Sequence, residues 1–347
     1  MDLLIPIAGR STRFRTNRPK WSLTMPNGKM MFENALSRLK NLNYENIYVI
    51  AVKKQVESFT TVEVINNICR DSNIKTIWHD DFTNSQSETI VEALKKNQKI
   101  GEKGIFIKDC DNLFDVEGEG NFVSYVDLHN CDLVTPGNKS YIKLDELGNI
   151  SAIEEKSIIS PFFCCGGYGF INRDLIIELY NKCKSQINLD EELFLSHLIY
   201  QAILDGINFK GIEAKNYQDL GTQEDYDKYN SFSRILFCDV DGVLLFNGGR
   251  MHPNGWHTDI ILENVRKLIE LQNQEMLTIY LTTSRDEQSA EYAKSKLEKE
   301  GLKISGLIHS VPHGKRYLIN DFSSSNKFPT AISINLPRNS TNLDNFL

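Results

Sequence analysis

At 347 residues the chain is longer than one hydrophobic core usually organises, so two domains are expected. Its 41% hydrophobic and 24% charged residues with a net charge of −7 suit a soluble globular protein and argue against a general nucleic-acid-binding surface. Seven cysteines, an odd number with no CxxC pair, read as packed, reduced thiols and point away from a disulfide frame or a zinc site. The N-terminus lacks a basic leader, and no run nears the ~18 apolar residues of a membrane span. The expectation is a cytoplasmic protein with neither nucleic acid nor membrane as partner.

Apolar strand patterns alternate with helical ones along the chain. Residues 3–7 read as a strand. Residues 32–42 read as an amphipathic helix with Leu36, Leu39 and Leu42 on one face. A strand at 47–52, a helix at 89–96 and a strand at 105–107 follow. Residues 133–170 shift to strands and turns, with a hairpin turn at 146–149, before a helix at 190–202. The short segment 226–233 is the expected boundary, dividing domains 1–230 and 233–347. Beyond it come strand 235–238, helix 260–272, strand 277–281, helix 287–300 and strands 305–308 and 317–320. Such alternation means an α/β protein with mostly parallel sheets.

The first strand runs into Pro6-Ile7-Ala8-Gly9-Arg10-Ser11-Thr12-Arg13-Phe14. Small residues such as Ala8, Gly9 and Ser11 let backbone N–H groups approach phosphate oxygens, and Arg13 adds fixed positive charge. Arg18-Pro19-Lys20 supplies a second cation, and Pro26-Asn27-Gly28-Lys29 closes a turn before a helix. Residues 105–112 form an apolar strand ending in Asp109-Cys110-Asp111. Ser85-Gln86-Ser87-Glu88 suits a helix N-cap box, Ser85 with Glu88.

This ordered set resembles the sugar nucleotidyltransferases, or nucleotide-sugar pyrophosphorylases, over roughly residues 1–230. Ser11 stands where their Ala-Gly-x-Gly-x-Arg loop has its second glycine. The resemblance implies a Rossmann-like domain with a mixed sheet that transfers a nucleoside monophosphate from an NTP to a sugar or polyol phosphate. It implies that Gln86 and Ser87 meet the nucleobase, a reading compatible with the N-cap box. It also implies that Asp111, with Asp109 second, binds Mg²⁺ together with Asp219 of the Asp-Leu-Gly-Thr-Gln-Glu-Asp-Tyr segment at 219–226. Glu155-Lys156 resembles the element that holds the sugar phosphate, and residues 166–170, Gly167 among them, resemble the strand beside the acceptor. Arg13 would face the leaving β,γ-phosphates. Lys20 and Lys156 would neutralise the α-phosphate and the acceptor phosphate.

Farther on, an apolar run ends abruptly in Asp239-Val240-Asp241-Gly242-Val243, which suits a buried strand delivering two carboxylates into a crevice. This motif, with Thr282-Thr283-Ser284-Arg285, Gly314-Lys315 and Asn320-Asp321, resembles the haloacid dehalogenase-like (HAD-like) phosphatases over residues 233–347. The resemblance makes Asp239 the nucleophile and Asp241 the general acid and then base. Thr283, or else Thr282, would be the phosphoryl-binding hydroxyl, and Lys315 the charge-offsetting lysine, with Lys294 second to it. Asp239, Asp241, Asp321 and the Val240 carbonyl would form a second Mg²⁺ site. The inserts are too short for a cap domain, and residues 245–258, with His252, Trp256 and His257, form the expected flap.

The whole reads as a bifunctional enzyme making activated precursors of a surface polysaccharide, with Mg²⁺ in both domains and CTP as the favoured nucleotide. The alternative is an active transferase with a non-catalytic binding or dimerisation domain. Whether the chain forms a homo-oligomer stays open.

Overall fold

The computed structural model describes residues 1–347 except 12–13, 15–17, 40, 132–134, 187–191, 232, 250, 275 and 321–330, and only the backbone of 274 and 276. The chain divides into two compact units, Met1–Lys228 and Tyr229–Leu347.

The first unit holds strands β1 (Asp2–Pro6), β2 (Asn46–Val52), β3 (Lys75–His79), β4 (Ile105–Lys108), β5 (Asn112–Asp115), β6 (Phe122–Asp127), β7 (Ser140–Leu144), β8 (Ile150–Glu155), β9 (Phe162–Phe170), β10 (Lys210–Glu213) and β11 (Lys215–Asp219). Its helices are α1 (Met31–Asn34), α2 (Lys53–Glu57), α3 (Val62–Asp71), α4 (Gln86–Lys96), α5 (Arg173–Gln186) and α6 (Leu195–Leu204). The main sheet runs β10-β6-β9-β4-β1-β2-β3. Strands β4, β1, β2 and β3 are parallel. Strand β9 is antiparallel to both β4 and β6, so the sheet is mixed. The β7–β8 hairpin joins it through β7, and β11 pairs antiparallel with β5 in a small second sheet.

Strand β1 shows why a continuous apolar run becomes a central strand. Leu3, Leu4 and Ile5 are all fully buried. Leu4 packs with Ile90 and Ile107, whereas Leu3 and Ile5 join clusters built on Phe106 and on Trp21 with Phe32. Alternate side chains thus serve different cores, as a strand covered on both faces requires. From β1 the chain turns to β2 on one side, while β4 lies on the other. Such a switch point opens a crevice beyond the carboxyl ends of the parallel strands.

Several elements depart from the sequence reading. The helix expected over 32–42 is α-helical only in α1. Beyond it Leu36, Ser37 and Leu39 donate to carbonyls three residues back instead of four, tightening the chain into successive turns. Leu39 and Leu42 still reach the core. Elements α2, α3 and β3 were not anticipated, and the expected helix 190–202 forms as α6, residues 190–191 lying outside the described residues. The hairpin turn is where it was expected: Asp145 N–H donates to the Asn149 carbonyl, and Gly148 takes φ +78°.

Helix α7 (Gln223–Ser231) contains the division between the units. The second unit has strands β12 (Ser233–Asp239), β13 (Met276–Thr282) and β14 (Gly306–Ile308) in one parallel sheet, with helices α8 (Leu262–Gln274) and α9 (Glu287–Lys299). Val240, Leu244, Leu268, Ile279, Leu281, Ala293 and Leu297 form its core. Residues 317–320 form no strand; Tyr317 and Ile319 are 83% and 91% exposed. An apolar run becomes a strand only where a neighbour completes its ladder, and this one has no such pairing among the described residues.

Candidate active site

A cavity of about 770 Å³ opens at the switch point of the first unit. Its lining includes Ile7 to Ser11, Lys20, Asn84 to Gln86, Asp109 to Asn112, Lys139, Ser140, Glu155, Lys156, Phe194 to Ser196, Asp219 and Gly221. Segments far apart in sequence therefore converge. Of the residues expected here, Ala8, Gly9, Ser11, Lys20, Gln86, Asp109, Asp111, Glu155, Lys156 and Asp219 all line it. Arg13 lies outside the described residues.

The loop after β1 is held from behind. Trp21 Nε1 donates to Gln55 Oε1 at 3.1 Å, and Gln55 Nε2 donates to the Gly9 carbonyl at 2.7 Å. A side chain at Gly9 would meet nothing, so the space before it is free. Ser11 adopts φ +55°, the left-handed region that favours glycine. Its hydroxyl accepts the Lys20 N–H at 3.0 Å and so fastens the loop to the lysine segment. A serine here adds a tether that glycine cannot supply.

At the start of α4, Ser85 Oγ accepts the Glu88 N–H at 3.1 Å as a helix cap. Gln86 lines the cavity and donates to Asp109 Oδ1 at 2.6 Å. Ser87 is fully buried and does not line the cavity. Its place in the helix turns it into the protein interior instead of the cavity. Gly167 is likewise absent from the lining. A Cβ there would come within 2.8 Å of Ser124, Phe106 and Phe114 side chains, so its glycine serves packing. Gly166 is the residue at the wall. It has φ +89°, its carbonyl accepts the Asp109 N–H at 2.8 Å, and a Cβ would sit 2.6 Å from Asp109 Oδ2.

The carboxylates are arranged by strand register. Asp219 pairs with Asn112 across β11 and β5, which brings it beside Asp111. A Cβ built on Gly221 would lie 3.0 Å from Asp219 Oδ1 and 3.2 Å from Asp111 Oδ2, so both oxygens surround one spot. Each carries a lysine: Lys20 Nζ bonds Asp111 Oδ2, and Lys139 Nζ lies 2.5 Å from Asp219 Oδ2. Burial opposes the charge on Asp111, but Lys20 and then Lys139 outweigh it and hold that carboxyl well below the usual range. Asp109 goes the other way. Burial and the neighbouring Asp111 raise it, against the Gln86 hydrogen bond. Beneath the turn, the fully buried Lys108 donates to the carbonyls of Asp109 (2.7 Å) and Asn112 (2.9 Å), and burial lowers it to about 8.

At the other end, Glu155 Oε2 accepts from Ser140 Oγ and from Ser196 Oγ, the latter at 2.7 Å. Lys156 Nζ rests 4.4 Å from the Phe194 ring centroid, with its own backbone at φ +56°. Lys139, Ser140 and Ser196 were not singled out from the sequence.

Among the described residues no cluster of three or more His, Cys, Asp or Glu could hold a metal by itself. Asp111 and Asp219 still fit Mg²⁺, which commonly takes one or two carboxylates and fills its shell with phosphates and water.

Residues 3–141 match the family model described as the MobA-like NTP transferase domain. No curated protein matches the chain by sequence. The nucleoside-diphosphate-sugar pyrophosphorylase from Vibrio cholerae RC9 superposes with a TM-score of 0.55 at 20% identity, covering 65% of this chain and 98% of its own. The inositol-1-phosphate CTP transferase from T. maritima gives 0.51 at 14% identity, with 65% and 90% covered. A UDP-glucose pyrophosphorylase complexed with UDP-glucose gives 0.50 at 16%, with 65% and 96% covered. The first unit has the nucleotidyltransferase fold. No helix among the described residues is long and apolar enough to cross a membrane.

The second unit presents a different constellation. Asp239 ends β12 in register with Thr282, and Asp241 follows two residues on. Thr283 Oγ1 donates to Asp241 Oδ2 at 3.1 Å, whereas Thr282 Oγ1 donates to the Cys238 carbonyl at 3.4 Å. Thr283 is therefore the hydroxyl turned to the acids. Arg285, fully buried, grips both Asp241 oxygens through Nε (3.2 and 3.1 Å) and Nη2 (2.7 Å). Asp239 Oδ1 accepts from Arg316 Nη2 at 3.1 Å. Burial raises the Asp239 carboxyl, and Arg316 works against that rise.

Lys315, expected to face the acids, is exposed; its neighbour Arg316 makes the contact with Asp239. Lys294 sits 3.9 and 4.0 Å from Glu291 and Glu298 along α9. The Val240 carbonyl accepts the N–H groups of Leu244 (3.0 Å) and Leu245 (2.9 Å), which uses both lone pairs. With Asp241 gripped and Val240 satisfied, the described residues do not fit a second Mg²⁺ site. Asp321 lies outside the described residues. In the segment expected as a flap, His257 meets Tyr292 edge-on at 4.5 Å and Trp256 lies under Arg285 at 5.2 Å.

Proposed function

We propose that the first unit transfers a nucleoside monophosphate from an NTP to a phosphorylated sugar or polyol and releases pyrophosphate. The observation that carries this reading is the convergence of the β1 loop, two lysine-paired carboxylates and the Glu155–Lys156 pair on one cavity. An oxygen of the acceptor phosphate attacks the α-phosphorus in line, and the bond to the pyrophosphate oxygen breaks. Positioning and charge neutralisation supply the rate. Backbone N–H groups of residues 8–11, with Arg13, receive the β,γ-phosphates. Lys20 offsets charge at the α-phosphate, Lys156 meets the acceptor phosphate, Glu155 takes acceptor hydroxyls, and Gln86 faces the base. Asp111 and Asp219 would hold Mg²⁺, which when bound offsets phosphate charge.

CTP is the first nucleotide to try, and surface polysaccharide precursors are the proposed destination. Incubating the full chain with each NTP, Mg²⁺ and a panel of sugar and polyol phosphates tests the reading. Pyrophosphate release that requires an acceptor supports it, and its absence for every pair refutes it.

For the second unit we propose a HAD-like phosphatase with Asp239 as nucleophile. The Asp239–Asp241–Thr283 grouping at a strand end supports this. Asp239 would attack phosphorus, and Asp241 would protonate the departing alcohol. The bidentate Arg285–Asp241 pair favours a second reading, a non-catalytic binding or dimerisation unit, since a gripped carboxylate is a poor proton donor. Phosphate release from phosphorylated sugars that is lost in Asp239→Asn supports the phosphatase. Equal release by wild type and Asp239→Asn excludes the covalent route.

A further inference from the structure

We propose that Lys139 is a binding residue for the acceptor's phosphate, acting with Lys156; this rests on the transferase reading above. The antiparallel register pairs Ser140 with Glu155 at the open end of the β7–β8 hairpin. Lys139 precedes that pair and Lys156 follows it, and the Lys156 N–H donates to the Lys139 carbonyl at 3.1 Å. One hairpin mouth therefore presents two lysines and a fixed carboxylate to the cavity. The Glu155–Lys156 half is contiguous in sequence, whereas the Lys139–Ser140 half enters only through the register.

The two ammonium groups are held differently. Lys156 rests on the Phe194 ring, and Lys139 bonds Asp219 and donates to Tyr217 Oη at 3.1 Å, with its side chain 19% exposed. Asp219 is one of the two carboxylates that fit Mg²⁺. Once that carboxylate is committed to a cation, Lys139 is left on the cavity wall without its partner. A phosphate brought to the hairpin mouth offers the anion that replaces it. A dianionic acceptor phosphate next to an α-phosphate requires more than one cation at this end, and Lys139 provides the second.

The test uses the full chain and the variants Lys139→Met, Lys139→Gln and Lys139→Arg. Glutamine retains a donor toward Asp219 and Tyr217 but removes the charge, so it remains informative if the methionine variant fails to fold. Steady-state kinetics of pyrophosphate release are measured with the best acceptor from the panel. Binding of radiolabelled inorganic phosphate is measured in parallel by equilibrium dialysis. The expected result is an acceptor KM raised by about tenfold or more in Lys139→Gln, with weaker phosphate binding. The NTP KM stays within about twofold, and Lys139→Arg recovers most of the loss. Altered Mg²⁺ dependence with unchanged acceptor KM and phosphate binding would overturn the proposal, because Lys139 would then serve Asp219 alone. A silent wild type defeats the transferase reading instead, while the phosphate-binding comparison still decides whether Lys139 holds phosphate.

Discussion

Both units place acidic residues at or just past the carboxyl ends of strands, yet they treat them in opposite ways. In the first, Asp111 and Asp219 are each paired with a single lysine at the wall of an open cavity. A lysine is a point charge on a flexible stem and can be exchanged for another partner. In the second, Asp241 is held through two nitrogens by an arginine with no exposed surface. That planar fork fixes the carboxylate's geometry through paired hydrogen bonds. The difference teaches that an acid pair at a strand end is a starting point for chemistry only when its counter-charges can leave.

The comparison is most sharply broken by removing the exchangeable cations. Lys20→Ala should lower nucleotidyl transfer by more than about a hundredfold, read as pyrophosphate release. Turnover near wild type would remove Lys20 from the chemistry. Gly166→Ala should come next in effect on activity. Its added methyl group meets Asp109 and its backbone is left-handed, so transfer should fall by about tenfold or more with a stability loss of about 1–3 kcal/mol. Unchanged kinetics would show that the Asp109 turn tolerates displacement.

In the second unit, Arg285→Met should leave Asp241 buried and unpaired, destabilising that unit by about 3–5 kcal/mol. Calorimetry should show the transition of the second unit lowered and that of the first unmoved; no change would mean the arginine grip is not structural. The smallest effect is expected for Ser85→Ala, which removes the α4 cap and should cost about 1 kcal/mol by chemical denaturation. Because Ser85 Oγ is committed to the Glu88 N–H, the NTP KM should change little. A KM rise above about tenfold would assign Ser85 a direct role in binding.

Much of the first site was legible because its parts are local. The small-residue loop, Asp109-Cys110-Asp111 and Glu155-Lys156 are each contiguous in sequence, and each sits where a strand ends. Lys139 was not legible, since it belongs to the site through the pairing of Ser140 with Glu155, and no spacing records that. Ser87 and Gly167 misled for the converse reason. Each neighbours a lining residue, but helical rotation at Ser87 and strand alternation at Gly167 turn the position to the core. In the second unit the same limit applies to Arg316, which takes the contact expected of Lys315 one residue earlier. The run at 317–320 had the composition of a strand without a partner to pair with, and composition alone carries no pairing information.

The most direct measurement is acceptor-dependent pyrophosphate release by the full chain, with CTP, GTP, UTP and ATP each tried against the sugar and polyol phosphate panel, in wild type and Lys20→Ala. Release from one nucleotide and one acceptor class, abolished by chelation of Mg²⁺ and by the substitution, is the predicted result. No release with any pair, or release that survives Lys20→Ala undiminished, would contradict the assignment of the first-unit cavity as a nucleotidyl-transfer site.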